Sequence, residues 1–385
     1  MDMPLPATKG PAKGPAGGLS PRSLILRLAG SRGFQKFAAR VPGLRRIARA
    51  EGAALFDLVA GFVNAQTLMA LIELRVLHRL RDAPMAAADL GTLCGIAPAR
   101  MQILLQAGAA LGLLRRRRDG RFDLALRGAA LLAVPGLEAM ITHHKALYAD
   151  LADPVAFLRG GGPTQLAQFW PYVFGGQGGA EVSATYSTLM AESQALVAED
   201  VLTLADFTGI ARLLDVGGGT GAFLAAVGAA HPGIALDLFD LPVVVAGAAA
   251  RLAPVSARVT IHPGSFRDDP LPRGADAISL IRVLYDHDDS TVARLLAQVH
   301  AALPSRGRLI VAEPMSGGDR PDRATDVYFA LYTLAMQTGR TRSGAEIAAL
   351  LAAAGFENIR IHWGYRPFVT SAVTASKAAS KENLP

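Results

Sequence analysis

The 385-residue sequence predicts an α/β chain, with a C-terminal doubly wound sheet preceded by a mainly helical domain. Three observations predict it. From residue 211 onward, short and almost continuously apolar runs alternate with runs of helical period, the pattern of a parallel sheet covered on both faces. A glycine-rich turn, "DVGGGTG" at residues 215–221, follows the first of those runs, at the end of the sheet where such folds bind ligands. Between residues 53 and 130 apolar residues recur at helical spacing and then give way to a hairpin signal at Asp119-Gly120.

Taken in order, residues 1–20 are rich in Pro, Gly and Ala, residues 373–385 end in "ASKAASKENLP", and both are expected to be disordered. Residues 21–52 form a basic amphipathic arm. Between Pro21 and Ala50 stand Arg22, Arg27, Arg32, Lys36, Arg40, Arg45, Arg46 and Arg49 with no acid, interleaved with Leu24, Ile25, Leu28, Phe34, Phe37, Val41, Leu44 and Ile47. Without those eight, 31 of the 39 basic residues remain against 32 acidic ones, so this segment carries the whole +7 imbalance. Two readings are open: an arm packed on the body, or a stretch lying on an anionic bilayer, where each cation near the surface contributes about 1 kcal/mol.

Residues 53–200 are expected to form a helical winged-helix and lid domain. Two short helices meet at residues 95–99, and two strand-like runs turn at Asp119-Gly120. Such a unit can bind DNA, and Arg115 to Arg118 offer phosphate contacts. Its second helix, however, has only Arg100, Gln102 and Gln106 to reach bases and is otherwise apolar on more than one side. A helix apolar all round is buried, here against a second subunit, so a homodimer is expected and a nucleic-acid partner is not. Helical character continues over 136–200, interrupted at "RGGGPTQ" and "FGGQGG". Residues 201–372 supply the ligand-binding sheet.

Several classes drop out. Cys94 is the single cysteine, which excludes internal disulfides and thiolate clusters, and no metal site is expected. No run of about 18 uninterrupted apolar residues and no signal-peptide core is present, which predicts a cytoplasmic protein.

Within the Rossmann-like part, Gly217, Gly219 and Ala222 satisfy G-x-G-x-x-A, so a nicotinamide cofactor has to be weighed. Asp215, two residues before Gly217, is expected to aim a carboxylate at the crevice, which disfavours a pyrophosphate and favours the cationic sulfonium of S-adenosylmethionine. Asp240, ending the next strand in "LFDLP", can accept hydrogen bonds from ribose hydroxyls. The alternative is structural: Asp215 caps the helix and the glycines only turn the chain.

"LLDVGGGTG", "FDLP", "PGSF", "RVLYDHDD" and "GRLIVAEP", in this order and spacing, resemble the S-adenosylmethionine-dependent O-methyltransferases that include plant phenol methylases and bacterial polyketide methylases. The likeness covers residues 53–370 and implies a winged-helix dimerisation domain joined to a methyltransferase sheet. It implies that Gly217, Gly219 and Asp240 hold the methyl donor, that Ser265 and Phe266 flank its adenine, and that Arg282 belongs with them. Many members carry an aspartate where Ser265 stands. Met190 in "YSTLMAES" matches a position lining the acceptor pocket.

In the phenol methylases the matching loop carries a histidine base, and here Tyr285 stands in its place. Glu313 matches one of two acids that orient that histidine, while the second falls near Thr341 and is missing. A tyrosine of pKa near 10 is a poor base at pH 7; His287, near 6.5, is better suited, although two residues along a strand end reverse its direction. The departure points to an acceptor that is attacked as a neutral hydroxyl and loses its proton late. Tyr285 is then expected to orient that hydroxyl, with Glu313, His143 or His144 taking the proton; the alternative for the histidine pair is a helix surface. "HHKALYADLADPVAFLR" and "RVLYDHDD" resemble more narrowly the purple-bacterial methylases of carotenoid synthesis, whose acceptor is the tertiary hydroxyl of a 1-hydroxycarotenoid. That resemblance implies a hydrophobic substrate and peripheral contact with a membrane. A polyketide or phenol methylase and a winged-helix sensor of S-adenosylmethionine are the alternatives.

Overall fold

A computed structural model describes residues 20–169 and 193–379. The chain divides into two compact units, residues 1–70 and 71–385.

The first unit is helical: α1 (Pro21–Ala29), α2 (Arg32–Ala38) and most of α3 (Pro42–Glu73). Ser20 and Ser31 cap the first two, each hydroxyl accepting a backbone N–H three residues on. At 100° per residue Leu24, Ile25 and Leu28 share one face of α1, and Phe34, Phe37 and Ala38 share one face of α2. Leu44 and Ile47 lie opposite Arg45, Arg46 and Arg49 at the start of α3. The expected break at residue 52 is absent, because Glu51, Gly52 and Ala53 interrupt neither the apolar period nor the hydrogen-bond ladder. One 32-residue helix results, and by length and composition it is apolar enough to cross a membrane. Leu55, Phe56, Val59 and Phe62 are exposed along it.

The second unit opens with a winged-helix arrangement. α4 (Val76–Asp82), α5 (Ala87–Cys94) and α6 (Pro98–Ala110) lead into β1 (Leu114–Arg116), paired antiparallel with β2 (Phe122–Leu124). Gly95, at φ 68°, supplies the left-handed residue that ends α5. In the wing Arg115 binds Asp123 and Arg121 binds Asp119, so part of the basic run is neutralised locally. α7 (Leu126–Ala133), α8 (Leu137–Asp150), α9 (Pro154–Leu158) and α10 (Gln165–Phe169) follow.

The main sheet has seven strands in the order β5-β4-β3-β6-β7-β9-β8. β3 (Arg212–Val216), β4 (Ala235–Asp240), β5 (Val259–Pro263), β6 (Ala277–Ile281) and β7 (Arg308–Glu313) are parallel. β3 and β6 are almost wholly buried, which is why they read as continuous apolar runs. α11 (Ala222–Ala230) covers one face of the sheet, and α12 (Asp289–Ala302) with α13 (Gly344–Ala353) covers the other. Strand order reverses between β3 and β6, so the ligand crevice opens outside their carboxyl ends.

β6 stops at Ile281, because Arg282 takes a left-handed φ of 59°. The last two strands depart from expectation. β8 (Phe356–His362) runs antiparallel. The tail expected to be disordered from 373 contains most of β9 (Ser371–Lys377), which lies between β7 and β8 and buries Ala372, Val373 and Ala375. Its small residues fit an inner strand against a crowded neighbour, and composition alone hid that.

Candidate active site

The glycine turn sits at the carboxyl end of β3. Gly217 (φ 70°) and Gly219 (φ 63°) adopt left-handed conformations, and a Cβ on Gly218 would lie 2.4 Å from Asp215 Oδ2. The turn is thus folded down onto the acid. Asp215 is fully buried rather than open to the crevice, which corrects the expected geometry. Ser279 Oγ, its register partner on β6, donates to Oδ1 at 2.6 Å, while Oδ2 has no partner among the described residues. Burial pushes its pKa up to about 7, against the Ser279 hydrogen bond, with nearby Asp240 adding to the rise. Selection of a cation therefore does not rest on a fixed negative charge at Asp215.

Asp240, at the end of β4, accepts from Gly219 N–H and Leu241 N–H, both at 2.7 Å. Burial lifts it to about 6, and these two bonds restrain the rise. On the loop after β5, Ser265 N–H donates to Asp269 Oδ2 at 2.8 Å, so a carboxylate four residues on closes the turn. Phe266 meets His287 edge-on at 5.3 Å, and Arg267 Nη2 donates to His287 Nδ1 at 3.2 Å. Burial first, then Arg267, lowers His287 to about 4. The bonded partners of His287 are thus on the Phe266 loop and not at the Tyr285 hydroxyl, which corrects its expected place among the proton-handling groups. The reversal of direction along the loop is the cause.

Tyr285 is buried, and its hydroxyl accepts from Arg282 Nε at 3.2 Å and Nη2 at 3.0 Å. Burial holds it well above the usual phenol range. Arg282 also donates to Ser193 Oγ at 3.0 Å, so its guanidinium lies with the tyrosine. Glu313 accepts the backbone N–H of Tyr285 at 3.1 Å, and burial raises it to about 7 despite Arg342. Asp286, whose carboxyl burial pushes far up, has one oxygen without a partner among the described residues, as does Glu313.

His143 and His144 are not a bare helix surface. Their Nε2 atoms are hydrogen-bonded to the Tyr332 hydroxyl at 3.0 Å and the Tyr328 hydroxyl at 2.6 Å. Burial lowers both imidazoles, His143 to about 4 with a contribution from His144, so both are neutral at pH 7. The tyrosines follow one another four residues apart, on a wide turn of π-helix (Ala324–Phe329) and the α-helix after it (Ala330–Met336). Tyr332 is raised by burial and, after Tyr328, by the charge of Tyr285. Sequence reading missed both tyrosines; their i, i+4 spacing in "YFALY" was the available signal. Met190 lies outside the described residues.

Arg342 was also missed. It is fully buried, beside the position where the family's second acid was expected. Nη1 donates to Leu284 O at 2.7 Å, Nη2 to His287 O at 2.8 Å and to Asp289 Oδ1 at 2.6 Å. Gly339 presses on the same loop, where a Cβ would lie 2.0 Å from Tyr285 O. The segment "GRTRS" thus clamps residues 284–289 from behind. Replacing Arg342 with Leu leaves two buried carbonyls unpaired and should cost about 3 kcal/mol or more. At roughly 2–4 °C per kcal/mol, thermal denaturation should show a fall of about 6 °C or more.

Known proteins match both parts of the chain. Residues 148–357 match the model of the O-methyltransferase domain, and residues 56–133 that of the O-methyltransferase dimerisation domain. The demethylspheroidene O-methyltransferase of Cereibacter sphaeroides is 63% identical over 373 residues, covering 96% of this chain and 98% of the relative. The enzyme of the same name from Rhodobacter capsulatus is 52% identical over 357 residues, covering 92% and 90%. Among solved structures, the N,N-8-amino-8-demethyl-D-riboflavin dimethyltransferase of Streptomyces davawensis superposes with a TM-score of 0.65 at 30% identity, covering 85% of this chain and 99% of that one. A switch-point crevice with a glycine turn and a strand-end acid, joined to a winged-helix unit and matched over nearly the whole length by such relatives, makes this chain a member of the O-methyltransferase family.

Proposed function

We propose that the chain moves a methyl group from S-adenosylmethionine to the tertiary hydroxyl of a 1-hydroxycarotenoid, as a homodimer at a membrane surface. One observation carries the acceptor class. The position of the family's histidine base is held by a buried tyrosine whose oxygen already accepts two N–H groups from Arg282 and whose proton is held tightly. Such a group cannot draw the proton from a phenol beforehand, so the acceptor is one that needs no prior ionisation. The names of the two most similar relatives described above point the same way.

The residues present fit the methyl donor. The turn at Gly217 to Gly219 offers concave backbone with no side chain in the way, and Asp240 offers carboxylate oxygens to ribose hydroxyls, with Ser265 and Phe266 at the adenine. When bound, S-adenosylmethionine supplies an electrophilic methyl on a sulfonium. Tyr285, steadied by Arg282, holds the acceptor hydroxyl, and alignment of this kind can be worth about 7–11 kcal/mol. The proton leaves after transfer, from an oxonium far more acidic than any side chain. A neutral imidazole of depressed pKa is then base enough, and Tyr328 with His144, or Tyr332 with His143, can relay the proton from hydroxyl to Nε2. The exposed apolar face of α3 falls inside the dimerisation domain, and a second copy covers it.

Labelled methyl donor should mark a 1-hydroxycarotenoid in preference to a catechol or an anthracycline-like polyketide; label in the catechol alone rejects the assignment. Tyr285→Phe should lower turnover by less than about a hundredfold and leave adenosylhomocysteine affinity intact. A loss of all activity would make the tyrosine indispensable.

The raised acids give a pH dependence of known sign. A carboxyl whose folded pKa lies above its unfolded value stabilises the unliganded protein below about pH 4 and loses that contribution as pH rises through the folded value. A ligand that engages ionised Asp240 works in the opposite sense. With Asp240 near 6, adenosylhomocysteine affinity measured by calorimetry should fall about tenfold between pH 7 and 5, and Asp240→Asn should remove most of that dependence.

The arm gives the membrane contact. Arg45→Glu, Arg46→Glu and Arg49→Glu together should abolish flotation with anionic vesicles while zwitterionic vesicles bind neither protein; equal flotation of both proteins disposes of the arm's role.

A further inference from the structure

The connection between β8 and β9 exposes three aromatic side chains in six residues: Trp363 at 61%, Tyr365 at 94% and Phe368 at 56%. Exposed aromatic residues grouped in this way mark a binding surface more often than chance, because water around large apolar faces is costly. The loop is not loose. Arg366 donates to Asp200 Oδ1 at 2.8 Å and to Glu199 Oε2 at 2.9 Å, Val369 N–H closes a turn onto Arg366 O at 2.7 Å, and a Cβ on Gly364 would meet Thr370 O at 2.5 Å. The backbone is therefore fixed while the rings face outward.

Its place in the sheet gives the loop a use. Ser371 pairs with Glu313, so the connection lies at the carboxyl end of β7, the end that carries the candidate active site. Beside it opens a cavity of about 560 Å³ lined by Ala324, Val327, Tyr328, Pro367 and Phe368, with Asp322 and Arg323 also on its wall. Tyr328 belongs to both places, since it lines the cavity while its hydroxyl is hydrogen-bonded to His144. The cavity thus shares Tyr328 with the proposed acceptor site and opens to the surface beside Pro367 and Phe368.

We infer that this cavity and the Trp363–Phe368 loop form the subsite for the hydrocarbon chain behind the acceptor's hydroxyl. The inference rests on the proposed acceptor class and names where its apolar part lies. An open end accepts a linear chain longer than the cavity. Flat aromatic faces on a stiff loop suit a planar conjugated chain, and each ring covered would bury surface that is now wet.

Two measurements test it. In a Trp170→Phe background Trp363 is the one remaining tryptophan, and a carotenoid hydrocarbon without a hydroxyl should quench its fluorescence saturably in detergent micelles. This readout needs no methyl transfer, so it is separate from the fate of the proposed reaction. Second, Phe368→Ala and Trp363→Ala should each raise KM for the long 1-hydroxycarotenoid about tenfold. A short tertiary alcohol with the same reacting end should keep its kcat/KM within about twofold in both variants. Absence of quenching overturns the subsite, as does an equal effect on long and short acceptors. A shift in sedimentation of the variants without any change in KM would assign the loop to contact between copies and overturn it too. If quenching holds and neither alcohol is methylated by the unaltered protein, the acceptor assignment falls while the hydrocarbon subsite stands.

Discussion

The site depends on a guanidinium with no access to water. Arg342 reaches the carbonyls of Leu284 and His287 and the carboxylate of Asp289, and so fixes both ends of the loop that holds Tyr285. A buried cation is costly unless its donors are satisfied, and here three acceptors from one short loop satisfy it. The charge reaches further, since it lies near enough to Glu313 to oppose the burial that neutralises that acid. Phenol methylases of this family orient a histidine with two acids, whereas this chain has one acid and an arginine behind a tyrosine. Arg342 holds the shape of that loop through its carbonyls and Asp289.

A second consequence concerns how a cationic donor is recognised. Asp215 and Asp240 are both raised by burial, to about 7 and about 6, so the unliganded crevice carries less negative charge than its composition implies. Two carboxyls close together beneath a backbone turn cannot both be ionised cheaply. A sulfonium or ammonium placed there supplies the missing countercharge and draws the protons off. On the proposed function, a cationic donor would thus bind with loss of protons, whereas a pyrophosphate would add charge of the same sign.

Much of this was legible. The glycine turn and Asp240 are set by local rules, since a strand end, a left-handed turn and an acid on the next strand need few long-range contacts to place them. The winged-helix unit was legible for the same reason. What the sequence hid was set by partners distant in the chain. β9 reads as a small-residue tail until β7 and β8 flank it. Arg342 reads as a surface charge until the loop 55 residues earlier closes over it. His143 and His144 read as a helix face until two tyrosines more than 180 residues away meet them. His287 failed differently: its residue type was right for a base, and the backbone turned it toward Phe266.

With the acceptor proposed above, the tyrosine, the arginine and the neutral histidines would meet one chemical problem. An aliphatic hydroxyl is too weak an acid to be ionised by any group in this site, so a strong base would bring no benefit and would have to be kept desolvated and charged. What helps is a fixed oxygen position, low polarity where positive charge spreads over sulfur, carbon and oxygen, and a sink for the proton once the ether has formed. Each departure from the phenol-methylase pattern removes a means of making a nucleophile and leaves a means of placing one.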